Sequence, residues 1–174
     1  WRGGEGDAGH PGVDRVLRAA ARHGLPVCVL GWGLLDRIDE LAAAPPDTQL
    51  IVDHLGLPQP FAPPVPDEPF ADLPAVLGLA RRPNVAIKIT GAATLSHEPF
   101  PFPDLWDPLA RIFDAYGFER CLWGTDWTRA VELVDYDRAT EAFRRTDRLT
   151  AAERDALMGG SLARIYGWAP GRGA

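Results

Sequence analysis

Lysine is almost missing from this chain: Lys88 stands alone among 18 basic residues, and the rest are arginines. There are only two cysteines, Cys28 and Cys121. Two are too few for a disulfide framework. Both lie in apolar runs, so they read as small buried hydrophobes. No apolar stretch reaches the ~18 residues a membrane-spanning helix needs. No signal peptide is visible, which sets the expectation of a cytoplasmic protein. Positive charge is in deficit, with a formal net charge of −6. That balance argues against a broad nucleic-acid surface. The expected partner is a small-molecule substrate, with neither nucleic acid nor membrane. HExxH, paired CxxC, P-loop and nucleophile-elbow patterns are absent, which removes the zincin, zinc-ribbon, phosphate-loop and α/β-hydrolase readings.

What is present is ordinary globular material. The 174 residues are 46% apolar and 24% charged, enough for one domain with a real core. The opening WRGGEGDAGHPG reads as a loop already in progress, so the chain is expected to be the later piece of a longer domain. That domain is expected over 1–169, with 170–174 as a tail.

Val13, Val16, Leu17 and Ala20 follow helical spacing, and Gly24 suits the position after the helix. Leu25–Leu30 is a short apolar run, read as a strand. Leu34, Leu35, Ile38 and Leu41 mark a helix stopped by Pro45-Pro46. Leu50-Ile51-Val52 forms the next strand and ends at Asp53-His54. Residues 58–69 are proline-rich and aperiodic, a long loop of the kind that often carries function. Asp72 is a candidate cap for a helix through Leu73, Val76, Leu77 and Ala80. Val85–Ile89 is a third strand, followed by a second long loop to Pro103. Leu105–Tyr116 is helical, with Gly117 closing it. Cys121–Gly124 is a fourth strand, ending at Thr125-Asp126-Trp127. Helices follow around Tyr136–Phe143, from a Thr150/Glu153 capping box to Met158, and after a Ser161 cap.

Strands separated by whole helices imply a parallel α/β sheet. Periodicity alone does not separate an open doubly wound sheet from a (β/α)8 TIM barrel. In either fold, ligands bind at the C-terminal ends of the strands. Three ends carry polar groups: Asp53-His54, Lys88-Ile89-Thr90 and Thr125-Asp126. Alternation along the strands puts His54, Lys88 and Asp126 toward the mouth and turns Asp53 away. Each has a plainer alternative: a satisfied turn histidine, a structural ion pair, a turn cap. Trp32 and Trp127 are candidates for the pocket wall or for packing. His97 is within reach of a ligand or simply at the surface.

Four segments together resemble a known family. They are Pro46-Asp47 through Ile51-Val52-Asp53-His54-Leu55-Gly56, Asn84–Gly91, Leu122–Trp127, and Leu157–Tyr166. In this order and spacing they resemble the amidohydrolase-related family, from about Val13 to Trp168. That family includes metal-dependent hydrolases, fuconolactonase-like lactonases, and some decarboxylases and hydratases. The resemblance implies a (β/α)8 barrel of which this chain supplies strands five to eight. It also implies a conserved histidine at His54 and the strand-eight aspartate at Asp126. In metal-dependent members that aspartate binds the metal or activates its water.

This chain departs from the pattern in three places. The strand-one His-x-His is absent. Leu30-Gly31-Trp32 supplies no strand-five histidine, as in many lactonase-like members. Thr128 replaces the proline after the tryptophan, and Arg129 follows it, placed to meet a substrate carboxylate.

The resulting expectation is a hydrolase of a lactone, cyclic ester or amide. Asp126 activates water, His54 orients or polarises, and Lys88, if unpaired, stabilises oxyanion charge. Trp32, Arg129, Trp127 and His97 are the candidate substrate contacts. Asp126 and His54 are the candidate ligands of one divalent ion such as zinc, with a metal-free site as the alternative. Competing readings are a decarboxylase or hydratase of a small aromatic or dicarboxylic acid, a chain inert by itself, or a non-enzymatic, barrel-derived binding or structural protein. A half barrel also implies association, with the other half or with a second copy.

Overall fold

The computed structural model describes residues 10–44 and 48–168. The leading loop, the Pro45-Pro46 stop and the tail lie outside them. Helix α1 (Pro11–Arg22) leads to strand β1 (Val27–Val29), α2 (Leu35–Ala43) and β2 (Leu50–Val52). Then come α3 (Leu73–Leu79), β3 (Val85–Thr90), α4 (Trp106–Tyr116) and β4 (Cys121–Gly124). Four helices close the order: α5 (Trp127–Ala130), α6 (Tyr136–Arg144), α7 (Ala151–Asp155) and α8 (Ser161–Tyr166).

The strands form one parallel sheet in chain order β1-β2-β3-β4. Ile51 lies opposite Cys28 on one side and Ala86 on the other. Lys88 lies opposite Leu122, and Thr90 opposite Gly124. β1 is shorter than the apolar run around it, because Leu25 is exposed and pairs with nothing in the sheet.

Two apolar layers hold the sheet. Leu50, Val52, Val85, Ile87, Ile89 and Cys121 pack under the helices, with Val76, Leu79, Leu109 and Ile112. The opposite face is small: Ile51, Ala86 and Leu122, touched by Ile165 of α8. Each large aliphatic side chain fully buried in the first layer contributes roughly 1.5–3 kcal/mol. Polar ties fix the helices over the strands. The buried Tyr116 hydroxyl donates to Val76 O at 2.8 Å. Arg120 donates to the carbonyls of Tyr116, Ala80, Arg82 and Val85, tying the end of α4 to the turn that leads into β3.

Two expected caps make no side-chain cap bond. Asp72 precedes α3 but makes no side-chain cap bond. Ser161 is the first residue of α8, and its Oγ donates to Phe118 O at 2.7 Å, pinning α8 to the start of β4. The Thr150/Glu153 capping box is present. The helix it opens runs on into a π-helical stretch, Ala156–Gly160, which the glycine pair Gly159-Gly160 ends.

Candidate active site

The end of β2 is built from an unusual turn. His54, Leu55 and Gly56 all have left-handed backbone, with φ of 53°, 60° and 67°. Glycine adopts this freely, whereas His54 and Leu55 each carry a strain of order 1–3 kcal/mol. A Cβ at position 56 would also press to 3.0 Å from Leu35 and 3.2 Å from Val52. Because Val52 packs under the helices, strict alternation would send His54 there as well, contrary to the expectation from sequence, and the turn is what brings it back. Its ring swings toward β3 and β4, where Nδ1 lies 2.9 Å from Thr90 Oγ1 and 3.4 Å from Asp126 Oδ2. The His54 backbone N–H donates to the same Thr90 hydroxyl at 3.2 Å. Asp126 is itself left-handed, with φ 54°. Strained non-glycine residues at two facing strand ends are a recurrent mark of a functional site.

The same register corrects the expectation for Asp53. Ile51 shares a face with Ala86, so Asp53 points with Lys88, not away from it. Lys88 Nζ lies 2.7 Å from Asp53 Oδ1 and donates to Cys28 Sγ at 3.2 Å. Burial lowers the pKa of Lys88, but its contacts with Asp53 and Cys28 outweigh burial and raise it. Lys88 is therefore a paired cation and not a free oxyanion donor. Cys28, expected to be buried, is exposed on this face and touches Tyr166 OH at 3.2 Å. Cys121 is buried as expected.

Arg129 also differs from expectation. Its side chain is only 7% exposed, so it does not wait for a substrate carboxylate. Nε donates to Asp126 Oδ2, and the other nitrogens donate to Pro60 O, Gln59 Oε1 and Thr94 Oγ1. The guanidinium fork ties the 58–69 loop to the end of β4. Gly91, with φ 69°, makes room for this, because a Cβ there would collide with Arg129 Nη2 and Gln59 Oε1.

Trp32 stands beside the site. Its ring centroid is 6.0 Å from that of His54 and 6.2 Å from Phe61. The indole Nε1 is buried and has no partner among the described residues. Trp127 turns elsewhere, edge-on to Tyr136 at 5.3 Å and 38% exposed. His97 is exposed, and its backbone N–H donates to Asp104. It lines a cavity of about 540 Å³ with Pro63, Thr94, Phe102 and Arg138, a space that neither Asp126 nor His54 reaches. Thr94, Gln59 and Phe61 are the site residues that motif reasoning passed over, and Thr90 was named at its strand end without a role. A glutamine between Pro58 and Pro60 was the one available sign.

Burial is the main cause that lowers the pKa of His54; Asp126 and Asp53 oppose it, and Arg129 and Lys88 reinforce it. As pH falls below about 6.5, the unfolded chain takes up this proton before the folded one. The stability present above that pH is then lost on the way down to the lowered pKa. A histidine NMR titration of the complete protein should give His54 a midpoint below 6.5. A midpoint above 6.5 would mean that the two carboxylates, and not burial, dominate.

Residues 1–168 match the family model described as Amidohydrolase. The chain belongs to the amidohydrolase family. Among curated relatives, this amidohydrolase is 32% identical over 125 residues to an L-fucono-1,5-lactonase of Burkholderia multivorans. The match takes in 67% of this chain and 42% of that enzyme. It is 37% identical over 81 residues to a 4-sulfomuconolactone hydrolase of Rhizobium radiobacter, 47% of this chain and 25% of the other. The amidohydrolase thus spans less than half the length of the curated relatives it matches. A crystal structure of a Burkholderia multivorans amidohydrolase with bound zinc superposes with a TM-score of 0.77 at 25% identity, over 97% of this chain and 67% of that one. The fold shared with such neighbours is the TIM barrel, and these four parallel strands with their helices form part of one.

The zinc in that relative makes metal binding a question for this chain. Nδ1 of His54 and Oδ2 of Asp126 are 3.4 Å apart, a span that two ligands of one tetrahedral ion at ~2.0–2.2 Å would make. Yet no group of three His, Cys, Asp or Glu side chains suited to a metal exists among the described residues. The guanidinium of Arg129 already lies on Oδ2, and Thr90 Oγ1 is on Nδ1. These residues as arranged do not fit a divalent ion.

Proposed function

We propose that this amidohydrolase opens a lactone ring by adding water, with Asp126 as general base and Arg129 in place of a metal as the cation at that carboxylate. One observation carries the reading: Asp126 at the end of β4 faces His54 while Arg129 holds one of its oxygens. Oδ2 is bound by Arg129. Oδ1 has no hydrogen bond among the described residues and is the oxygen available to take a proton from water. The attacking water forms a bond to the ring carbonyl carbon as its proton passes to Oδ1. The ring C–O bond then breaks, and the proton held on Asp126 Oδ1 passes to the departing oxygen, giving the hydroxy acid and regenerating the carboxylate.

With Nδ1 of His54 against Thr90, Nε2 is the ring nitrogen left to meet the substrate. A neutral imidazole suits the polarisation of a carbonyl oxygen. The partnerless indole N–H of Trp32 beside it is a second donor, and Phe61 adds an apolar wall. Lys88 is assigned to holding Asp53 and the β1–β3 face together. Lactone opening is preferred to decarboxylation because the nearest cation, Arg129, is already committed to Asp126 and protein acceptors. The curated relatives that match act, by name, on lactones.

β1 and β4 each pair on one side only among the described residues. We assign their free edges to further strands of the same barrel, a second copy being the alternative.

The test uses the complete protein and a panel of sugar lactones and muconolactone-type lactones, before and after dialysis against a chelator. Ring-opened acid formed at an undiminished rate after metal removal is expected. Carbon dioxide release, or a rate restored only by added metal, would overturn the reading.

A further inference from the structure

Gln59 belongs to none of the roles above, yet it is only 4% exposed in a loop at the mouth of the site. Its amide makes three hydrogen bonds. Nε2 donates to His54 O at 3.2 Å and to Thr90 O at 3.0 Å. Oε1 accepts from Arg129 Nη2. A buried primary amide has two donors and one acceptor oxygen, and here each meets a different strand end. The His54 carbonyl belongs to the strained turn after β2. The Thr90 carbonyl closes β3, on the residue whose hydroxyl holds the His54 ring. Arg129 holds Asp126 after β4.

We propose that Gln59 is a positioning residue that sets His54 and Asp126 relative to one another. The inference rests on the reading of Asp126 and His54 as the reacting pair. Gln59 touches neither reacting group directly. It fixes the backbone under one and the guanidinium that orients the other. Gly91 supports this, since any side chain there would displace the Gln59 oxygen and Arg129 together. A filler residue would need only volume and apolar contact. A residue that places both its amide N–H groups and its carbonyl oxygen on three strand ends is doing something volume cannot replace.

Two variants of the complete protein separate the roles. Gln59→Met keeps length and burial but removes every hydrogen bond. Gln59→Glu keeps an acceptor for Arg129, loses both donors, and sets a second carboxylate against Asp126 for the same guanidinium. Both should lower kcat for lactone opening about 10- to 100-fold, the usual effect of losing a group that orients a reacting residue, with KM changed less than about threefold. In spectra of protein carrying ¹⁵N-labelled histidine, the His54 ring signals should move. Those of His10, His23 and His97 should stay, with His54→Gln supplying the assignment. If Gln59→Met does not fold, Gln59→Glu carries the test alone. Folded variants with kcat within threefold of wild type and an unmoved His54 signal would overturn the proposal. If the wild type opens no lactone, the function reading fails, while the His54 signal still decides the role of Gln59.

Discussion

Asp126→Asn should lower kcat/KM for lactone opening about 10²- to 10⁴-fold in the complete protein, the usual worth of a general base. The change keeps side-chain shape and removes the charge that takes the proton. Asparagine tolerates left-handed backbone at least as well as aspartate, so the φ of 54° is no obstacle. Folding carries a moderate cost that the sequence did not reveal. Arg129 loses its anionic partner, although the amide oxygen of asparagine can still accept from Nε. Weakening one buried charge-assisted hydrogen bond costs about 1–3 kcal/mol. A lowered melting temperature with a folded spectrum is therefore expected alongside the lost activity. Near-normal kcat/KM in the folded variant would remove Asp126 from the chemistry.

Arg129→Met should destabilise the complete protein by about 3–5 kcal/mol, read from urea unfolding, the range for removing one member of a buried ion pair. The side chains of Arg129 and Asp126 are 7% and 13% exposed, so water does not replace the lost contact well. Four acceptors lose their donor together: Asp126 Oδ2, Pro60 O, Gln59 Oε1 and Thr94 Oγ1. The carboxylate then stays behind as an unpaired charge. Had Arg129 been an open receptor for a substrate carboxylate, the same change would raise KM and leave stability within about 1 kcal/mol. The two outcomes separate the clamp from the receptor.

The fold was legible because its signals are local and repeated. Short apolar runs such as Leu50–Val52 and Val85–Ile89 stand a helix apart, which leaves little but a parallel sheet. Alternation within β3 put Lys88 on the face of Ala86, and there it meets Asp53. His54 was located at the right strand end by faulty logic. Alternation alone puts it under the helices with Val52; the left-handed turn at His54, Leu55 and Gly56 brings it back. Only Gly56 hints at that turn, since nothing in a histidine or leucine announces a positive φ. The same slip sent Asp53 the wrong way and hid its pairing with Lys88.

Arg129 was seen but misread, because its role depends on Gln59 and Pro60, some 70 positions away. Sequence shows that an arginine is near the mouth; only packing shows whether its fork is already full. Trp127 was misplaced for a similar reason. It opens α5, a single turn without a periodic pattern, and that turn sends the indole to Tyr136. Trp32 needed no such turn. It follows β1 directly, and the loop brings it against His54.

The central claim is that water, activated at Asp126, supplies the new oxygen of the product. It is tested most directly by a single turnover of the complete protein on a lactone in H₂¹⁸O, with mass spectrometry of the product carboxylate and of the protein. The account predicts one ¹⁸O in the hydroxy acid and none in Asp126. Unlabelled product in the first turnover, with ¹⁸O left on the Asp126 side chain, would make Asp126 a nucleophile and contradict it.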